Sequence, residues 1–260
     1  MTQEKRYFNV RIEFDKEKLD QIIFDAIEKG EPGYSCSVES NNLTVANQNP
    51  EFLNVLNGAL VNNCDGSVLA KILSWIHHEP IDRYIGADIF MKYIKMKKFR
   101  QFFLGNTPEV LEGLRRNLSK IDPQIENMRF ETLPFRAVDE FDYKGIADMI
   151  NEDNPDIIWV SLGAPKQEMF MARLKPYLKR GVMFGYGAIF NFNAGVGSVK
   201  RAPRWMLALR LEWLHRALEQ PKKNIPRYWN FVVSLPGMIH REKAYLKQLK
   251  KSGSVVMTSC

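Results

Sequence analysis

An α/β fold built on a mostly parallel sheet is what this 260-residue sequence predicts, and three observations carry the prediction. Short apolar runs alternate with helical stretches from about residue 98 to residue 190, the pattern of a parallel sheet with crossover helices. Three of the apolar runs end in glycine, at Gly105-Asn106, Gly163-Ala164-Pro165 and Gly185-Tyr186-Gly187. Near residue 200 the composition changes to a basic, aromatic tail.

The elements follow in order. YFNVRIEF (7–14) alternates apolar and polar residues and reads as a strand. DKEKLDQIIFDAIEKG reads as a helix closed by Gly30. SCSVESNNLTVAN reads as a short strand and a loop. Asn49-Pro50 starts a helix, EFLNVLNGALVNN, that ends at Cys64-Asp65-Gly66. SVLAKILSWIHH is a further helix, and FRQFFLGN a strand. Thr107 caps the next helix, with Pro108 at its first position. MRFETLPF reads as a strand, and YKGIADMINEDNP as a helix stopped before Pro155. DIIWVSLG has the continuous apolar character of a strand buried on both faces. APKQEMFMARLKPYL follows as a helix, and VMFGYGAIF as the last strand, leading into a Gly-rich loop.

The composition, 45% hydrophobic and 26% charged, is that of an ordinary globular protein. No apolar run approaches the roughly 20 residues that cross a bilayer. The start, MTQEKRYFNV, lacks the apolar core of a signal peptide. Three scattered cysteines, Cys36, Cys64 and Cys260, suit a reducing cytoplasm and argue against a disulfide framework or a zinc site. The formal charge of +7 is uneven: residues 201–260 carry 12 Lys or Arg against 3 Asp or Glu, so the tail holds +9 and the first 200 residues −2. The expected division is a body over 1–200 and an appendage over 201–260. In the tail the cations alternate with Trp205, Trp213, Tyr228, Trp229 and Phe231. Interleaved basic and interfacial aromatic residues suit an anionic membrane surface, and they also suit nucleic acid.

In parallel sheets, ligands sit beyond the carboxyl ends of the strands, where glycine lets the backbone approach and a helix start offers N–H groups to phosphate. Each glycine alone reads first as a tight turn; three strand ends together point to a phosphate-bearing ligand such as a nucleotide-sugar. Lys166, Gln167 and Glu168 open a helix at that edge, where they suit either a sugar or phosphate contact or helix capping. Asp65, after Cys64, reads first as a turn residue and second as a general base. Asn47 and Asn49 precede a helix, and capping is the default role of Asn49. Arg201, Arg204, Arg216 and Arg227, with Lys222 and Lys223, are candidates to hold a diphosphate. No Asp-x-Asp ends an apolar strand, no GxGxxG is present, and no Ser or Cys nucleophile motif appears, so no metal site is expected.

Taken together, NPEFL with the following CDG, the DIIWVSLGAPKQE block, GYGAIFNFNAG, RAP and LEWLHR resemble the WecG/TagA/CpsF family of bacterial glycosyltransferases, from about Asn47 to Arg227. The resemblance implies a Rossmann-like body with a basic helical C-terminal appendage that associates with membrane. It implies inverting transfer from a UDP-sugar to an undecaprenyl-diphosphate-linked sugar, without a metal or other cofactor, in teichoic acid, common antigen, capsule or exopolysaccharide synthesis. By position, it puts the catalytic base on Asp65 and the PKQE glutamine on Gln167. It puts the diphosphate-closing arginines on Arg216 and Arg227, and the loop asparagine on Asn49. This chain departs at Asn47 (Thr in many members), Asn191 (Asp), Arg210 (Gly) and EQPKK (Glu-Pro-x-Arg), where Lys222 or Lys223 stands for an arginine.

The resulting expectation is a glycosyltransferase, with an N-acetylmannosamine-type donor, at the inner face of the cell membrane. Asp65 and Gln167 are its catalytic residues. Asn47, Asn49, Gly105, Gly163, Lys166, Gly185, Tyr186, Gly187, Arg201, Arg216, Lys222 and Arg227 bind substrate. A UDP-hexose or UDP-uronate donor is the alternative within the family; a non-catalytic nucleotide-sugar or nucleic-acid-binding module is the alternative outside it. The expected partners are the UDP-sugar, the polyprenyl-diphosphate-linked acceptor and anionic lipid, not nucleic acid, with self-association as a competing use of exposed apolar surface.

Overall fold

The structure, a computed structural model, describes residues 5–196, 202–203, 205–206, 209 and 211–251. In chain order the elements are α1 (Lys16–Glu28), β1 (Gly33–Val38), α2 (Ser40–Gln48), α3 (Pro50–Asn57), β2 (Val61–Cys64), α4 (Ser67–His77), α5 (Gly86–Met96), β3 (Gln101–Gly105) and α6 (Pro108–Leu118). Then come β4 (Arg129–Glu131), α7 (Tyr143–Asp153), β5 (Ile157–Ser161), α8 (Lys166–Leu174), β6 (Val182–Gly185), α9 (Gly187–Ala194), α10 (Glu212–Glu219) and α11 (Pro221–Lys251). The strands form one six-stranded sheet in the order β2-β1-β6-β5-β3-β4, and every pairing is parallel. The expected α/β architecture is therefore present, with all the strand carboxyl ends at one edge.

Alternation along the strands divides the core in two. Phe102, Leu104, Ile158, Val160 and Met183 point to one face, against Leu43, Phe52, Leu73, Ile150 and Phe170 of α2, α3, α4, α7 and α8. Phe103, Ile157, Trp159 and Phe184 point to the other, against Ile23, Phe90, Tyr93, Leu114 and Phe190 of α1, α5, α6 and α9. The central β5 is buried at all its positions, which is why it reads as an unbroken apolar run. Cap chemistry sets the helix starts: Asp15 accepts from Glu17 N and Lys18 N, and Thr107 from Val110 N ahead of α6.

Four local expectations are corrected. Residues 7–14 make only single bridges, Tyr7 with Val10 and Glu13 with Asn63, because Phe8 and Asn9 take positive φ (48° and 69°) and turn the chain. Residues 40–48 form a helix rather than a loop. The helix expected through residue 63 stops at Asn57, and Val61–Cys64 becomes a strand paired with β1. There Asn62 Nδ2 donates to Leu56 O and Arg11 O, closing the helix end and the neighbouring loop. The last strand stops at Gly185, and the Gly-rich segment is helix α9. The sequence reading also left α5 unassigned.

The boundary expected at residue 200 lies outside the described residues. Beyond it the chain returns to the body: Met238 of α11 is 1% exposed and joins the first core. Gln48 of α2 donates to Asn230 Oδ1 and Ser234 Oγ of α11. A buried pair completes the docking, His77 Nε2 to Glu242 Oε1 at 2.9 Å, and Glu242 Oε2 accepts from Phe8 N at 2.8 Å. No helix among the described residues is long and apolar enough to cross a membrane.

Candidate active site

The helices that follow neighbouring strands leave to opposite faces: α6 and α9 to the second core, α8 to the first. The loops after β3, β5 and β6 therefore part above the sheet, as at the ligand crevices of open α/β folds. Gly105 ends β3 at φ 93°, and a Cβ there would lie 2.6 Å from Ser161 O, so only glycine allows this close approach. Beside it, Asn106 Nδ2 donates to Ser161 Oγ at 3.0 Å, and Ser161 Oγ to Gly187 O at 3.2 Å. The three glycine-bearing strand ends are thus joined side by side.

Asp65 follows β2 directly and is half-buried. Its backbone N–H donates to Val38 O, and its Oδ1 accepts from Gly86 N at 3.3 Å. The chain returns to this point before α5, where Tyr84 N donates to Cys64 O and Asn63 Nδ2 to Tyr84 O. That return brings Asp82 and Arg83 close enough to Cys64 to act on its thiol. Burial, with smaller contributions from Asp65 and Asp82, pushes the Cys64 thiol up to about 12, against the hydrogen bond with Gly66 and the charge of Arg83. Arg83 was missed by the sequence reading, and nothing in a lone Arg before a helix would have found it; the fold-back onto β2 does.

Gln167 is 6% exposed, and protein groups use its whole amide. Nε2 donates to Gly185 O at 2.6 Å and to Glu168 Oε1 at 3.1 Å, while Oε1 accepts from Gly163 N at 3.1 Å and Gly187 N at 3.3 Å. It fastens the loop after β5, which includes the cis Ala164–Pro165 peptide, to the loop after β6. A Cβ on Gly185 would come within 3.0 Å of Gln167, so glycine there makes room for the fastening. Gln167 was expected to touch the sugar; its geometry is that of a brace. Lys166 points away from this knot: its amine donates to Arg136 O and lies 5.0 Å from the Phe135 ring and 5.1 Å from the Phe141 ring.

Other expected positions move. Asn47 and Asn49 lie at the far end of α2, about 12 Å along its axis from the end of β1. Asn47 Nδ2 donates to Phe8 O and Leu43 O, and Asn49 Oδ1 caps α3 through Glu51 N and Phe52 N. Asn49 thus takes the capping role that is its default in the sequence, and Asn47 ties α2 to the turn at Phe8. The residues that β1 delivers to the site edge are Glu39, Asn41 and Asn42, which the loop reading of this segment hid. Tyr186 is 3% exposed and stacks on Trp159 at 5.6 Å, inside the second core rather than open to a ligand.

The tail meets the same edge. Arg227 Nη2 donates to Ala164 O at 3.1 Å, and the Arg216 guanidinium lies 6.0 Å from the Phe192 ring of α9. The Lys223 amine is held below its ordinary pKa by burial and then by Arg227 and Arg216, so these three cations crowd one place. Lys222 and Lys223 are both exposed by surface area, and what sets Lys223 apart is partial desolvation beside Arg227 and Arg216. Arg201 lies outside the described residues.

Residues 6–252 match the sequence profile described as the glycosyl transferase WecG/TagA/CpsF family. The N-acetylglucosaminyldiphosphoundecaprenol N-acetyl-beta-D-mannosaminyltransferase of Bacillus subtilis strain 168 is 29% identical over 189 residues, 72% of this chain and 69% of that protein. The enzyme of the same name from Bacillus spizizenii is 29% identical over 194 residues, 74% and 71% of the two chains.

Proposed function

The chain belongs to the WecG/TagA/CpsF family of glycosyl transferases, and on that premise we propose that it moves an N-acetylmannosamine-type sugar from a UDP-sugar to an undecaprenyl-diphosphate-linked sugar, with inversion. The observation that carries the reading is the crowding of Arg216, Lys223 and Arg227 against the loop after β5 and helix α9. Cations held together at a ligand edge suit a diphosphate leaving group.

In the transfer, Asp65 takes the proton of the acceptor hydroxyl. The freed oxygen forms a bond to the anomeric carbon on the face opposite UDP. The bond from that carbon to the diphosphate oxygen breaks, and its electron pair leaves with UDP. The three cations stabilise this charge without a metal. Gln167 holds Gly163, Gly185 and Gly187 in the shape that receives the donor, which also gives the strand-end glycines their role. Removing one donor to a developing charge costs about 10²–10³ in rate when it is fully engaged. Lys223→Ala should therefore lower kcat/KM at least about tenfold, more than Lys222→Ala does, and Lys223→Arg should restore most of the loss. Equal losses at 222 and 223 would remove Lys223 from the clamp.

The acceptor's lipid tail implies work at a surface. Trp229, Val232 and Val233 of α11 are 57–69% exposed, Trp213 of α10 is 43% exposed, and cations are interleaved with them along the tail sequence. Apolar and aromatic side chains interleaved with cations suit the headgroup region of anionic lipid, here the inner face of the cell membrane. The same strip is available to self-association, which would compete with lipid.

The reading is tested by UDP release from a panel of UDP-sugars, with a short-chain lipid-diphosphate-N-acetylglucosamine acceptor and EDTA present. Acceptor-dependent release with UDP-N-acetylmannosamine is expected. Release only with a UDP-hexose or UDP-uronate would overturn the donor, and loss of release in EDTA would overturn the metal-free mechanism.

A further inference from the structure

We propose that Glu168 is a positioning residue of the transfer reaction, the joint that ties the end of β1 to the loops after β5 and β6; the inference rests on the transferase reading above. Glu168 sits in the first turn of α8 and is 1% exposed. Its Oε1 accepts from two side chains of different strand ends. One is Gln167 Nε2 at 3.1 Å, whose amide also holds Gly163, Gly185 and Gly187. The other is Asn42 Nδ2 at 3.2 Å. Asn42 is also 1% exposed, and the same nitrogen donates to Ser37 O of β1 at 3.0 Å. A single carboxyl oxygen thus fixes the edge residues that β1 delivers relative to the glycine loops that receive the donor. Neither Glu168 Oε2 nor Asn42 Oδ1 has a hydrogen-bond partner among the described residues, so the joint has no second set of bonds to fall back on.

The surroundings also make this joint sensitive to pH. Burial pushes the Glu168 carboxyl up to about 7, against the lowering effect of hydrogen bonds from its own backbone N–H, from Gln167 and from Asn42. The titratable groups that face it are Glu39 at the start of α2 and Cys36 of β1, and neither supplies positive charge. With the folded-state pKa raised, the folded chain holds this proton longer than the unfolded chain does. Stability from this group is therefore complete below the ordinary carboxylate range and is lost as pH rises to about 7. Above that pH a negative charge sits in a buried joint that Glu39 further disfavours, and the loops loosen.

The experiment compares wild type, Glu168→Gln and Glu168→Ala in the UDP-release assay between pH 5.5 and 9, with melting temperatures at each pH. Glu168→Gln keeps an acceptor oxygen and removes the charge. It should work at near wild-type rate at pH 6, lack the wild type's loss of kcat/KM above about pH 7, and melt higher than wild type at pH 8. Glu168→Ala leaves Gln167 and Asn42 without their shared acceptor and should raise the donor KM about tenfold with a smaller change in kcat. A merely structural residue would lower melting temperature without moving the pH profile. If Glu168→Gln shows the wild-type alkaline limb, or a folded Glu168→Ala keeps its donor KM, the inference is overturned. If wild type itself releases no UDP with any donor, the transferase reading fails first.

Discussion

Asp65→Asn will lower kcat by about 10²–10⁴-fold, the range expected for loss of a general base, while the fold survives. The substitution keeps the oxygen that accepts from Gly86 N and leaves the backbone bond to Val38 O untouched. It removes the negative charge and, with it, the capacity to take a proton. That capacity matters in the transition state and not in donor binding, so the donor KM should stay within about twofold while kcat and kcat/KM fall together. Single-turnover UDP release, with donor binding measured on the same preparation, separates the two quantities. A variant that turns over at near the wild-type rate would move the base elsewhere, and Asp82, the other carboxylate near Cys64, would be the next residue to test. A variant that loses donor binding as well would make Asp65 a part of the binding surface.

The contrast between Asp65 and its neighbours shows what local sequence can carry. Asp65 follows its strand directly, Gly105 and Gly185 end theirs, and Gly163 comes two residues after β5; a strand end is a local event marked by a change from apolar residues to glycine or a turn. Their common location at one sheet edge then follows from parallel topology. Asn49 was legible as the cap of α3, but the helix before it was not: SNNLTVANQ is rich in residues of poor helix propensity. It is helical because Leu43 and Ala46 are buried in the first core and α11 packs across it. Likewise Val61–Cys64 has two asparagines among four residues, and it becomes a strand only through pairing with β1. The tail's charge was visible in composition. Which of its two adjacent lysines joins the arginines was not, because that depends on how α11 is docked.

That docking is where the second large effect is expected: Glu242→Ala should release α11 from the body. Glu242 is 3% exposed, and each of its oxygens serves a different part of the body: Oε1 meets His77 at the end of α4, and Oε2 accepts from Phe8 N. Truncation leaves two buried polar groups without partners at once. Breaking a buried pair from one side typically costs about 3–5 kcal/mol. At about 1.4 kcal/mol per factor of ten, the detached state would gain at least about 10²-fold in population. The apolar anchors that remain, Met238 and Phe231, lie on the same helix and would be exposed with it. Detachment begins far from the chemistry but ends in it, because α11 also carries Lys223 and Arg227. The expected result is faster hydrogen exchange and proteolysis along 221–251, little change in β3, β5 and β6, and a raised donor KM. Glu242→Gln retains an acceptor for Phe8 N and should fall between the two. If α11 exchanges at the wild-type rate in Glu242→Ala while the whole body melts lower, the pair serves the global fold and not the docking. If α11 is released but the donor KM is unchanged, the cations of the tail are not what holds the diphosphate.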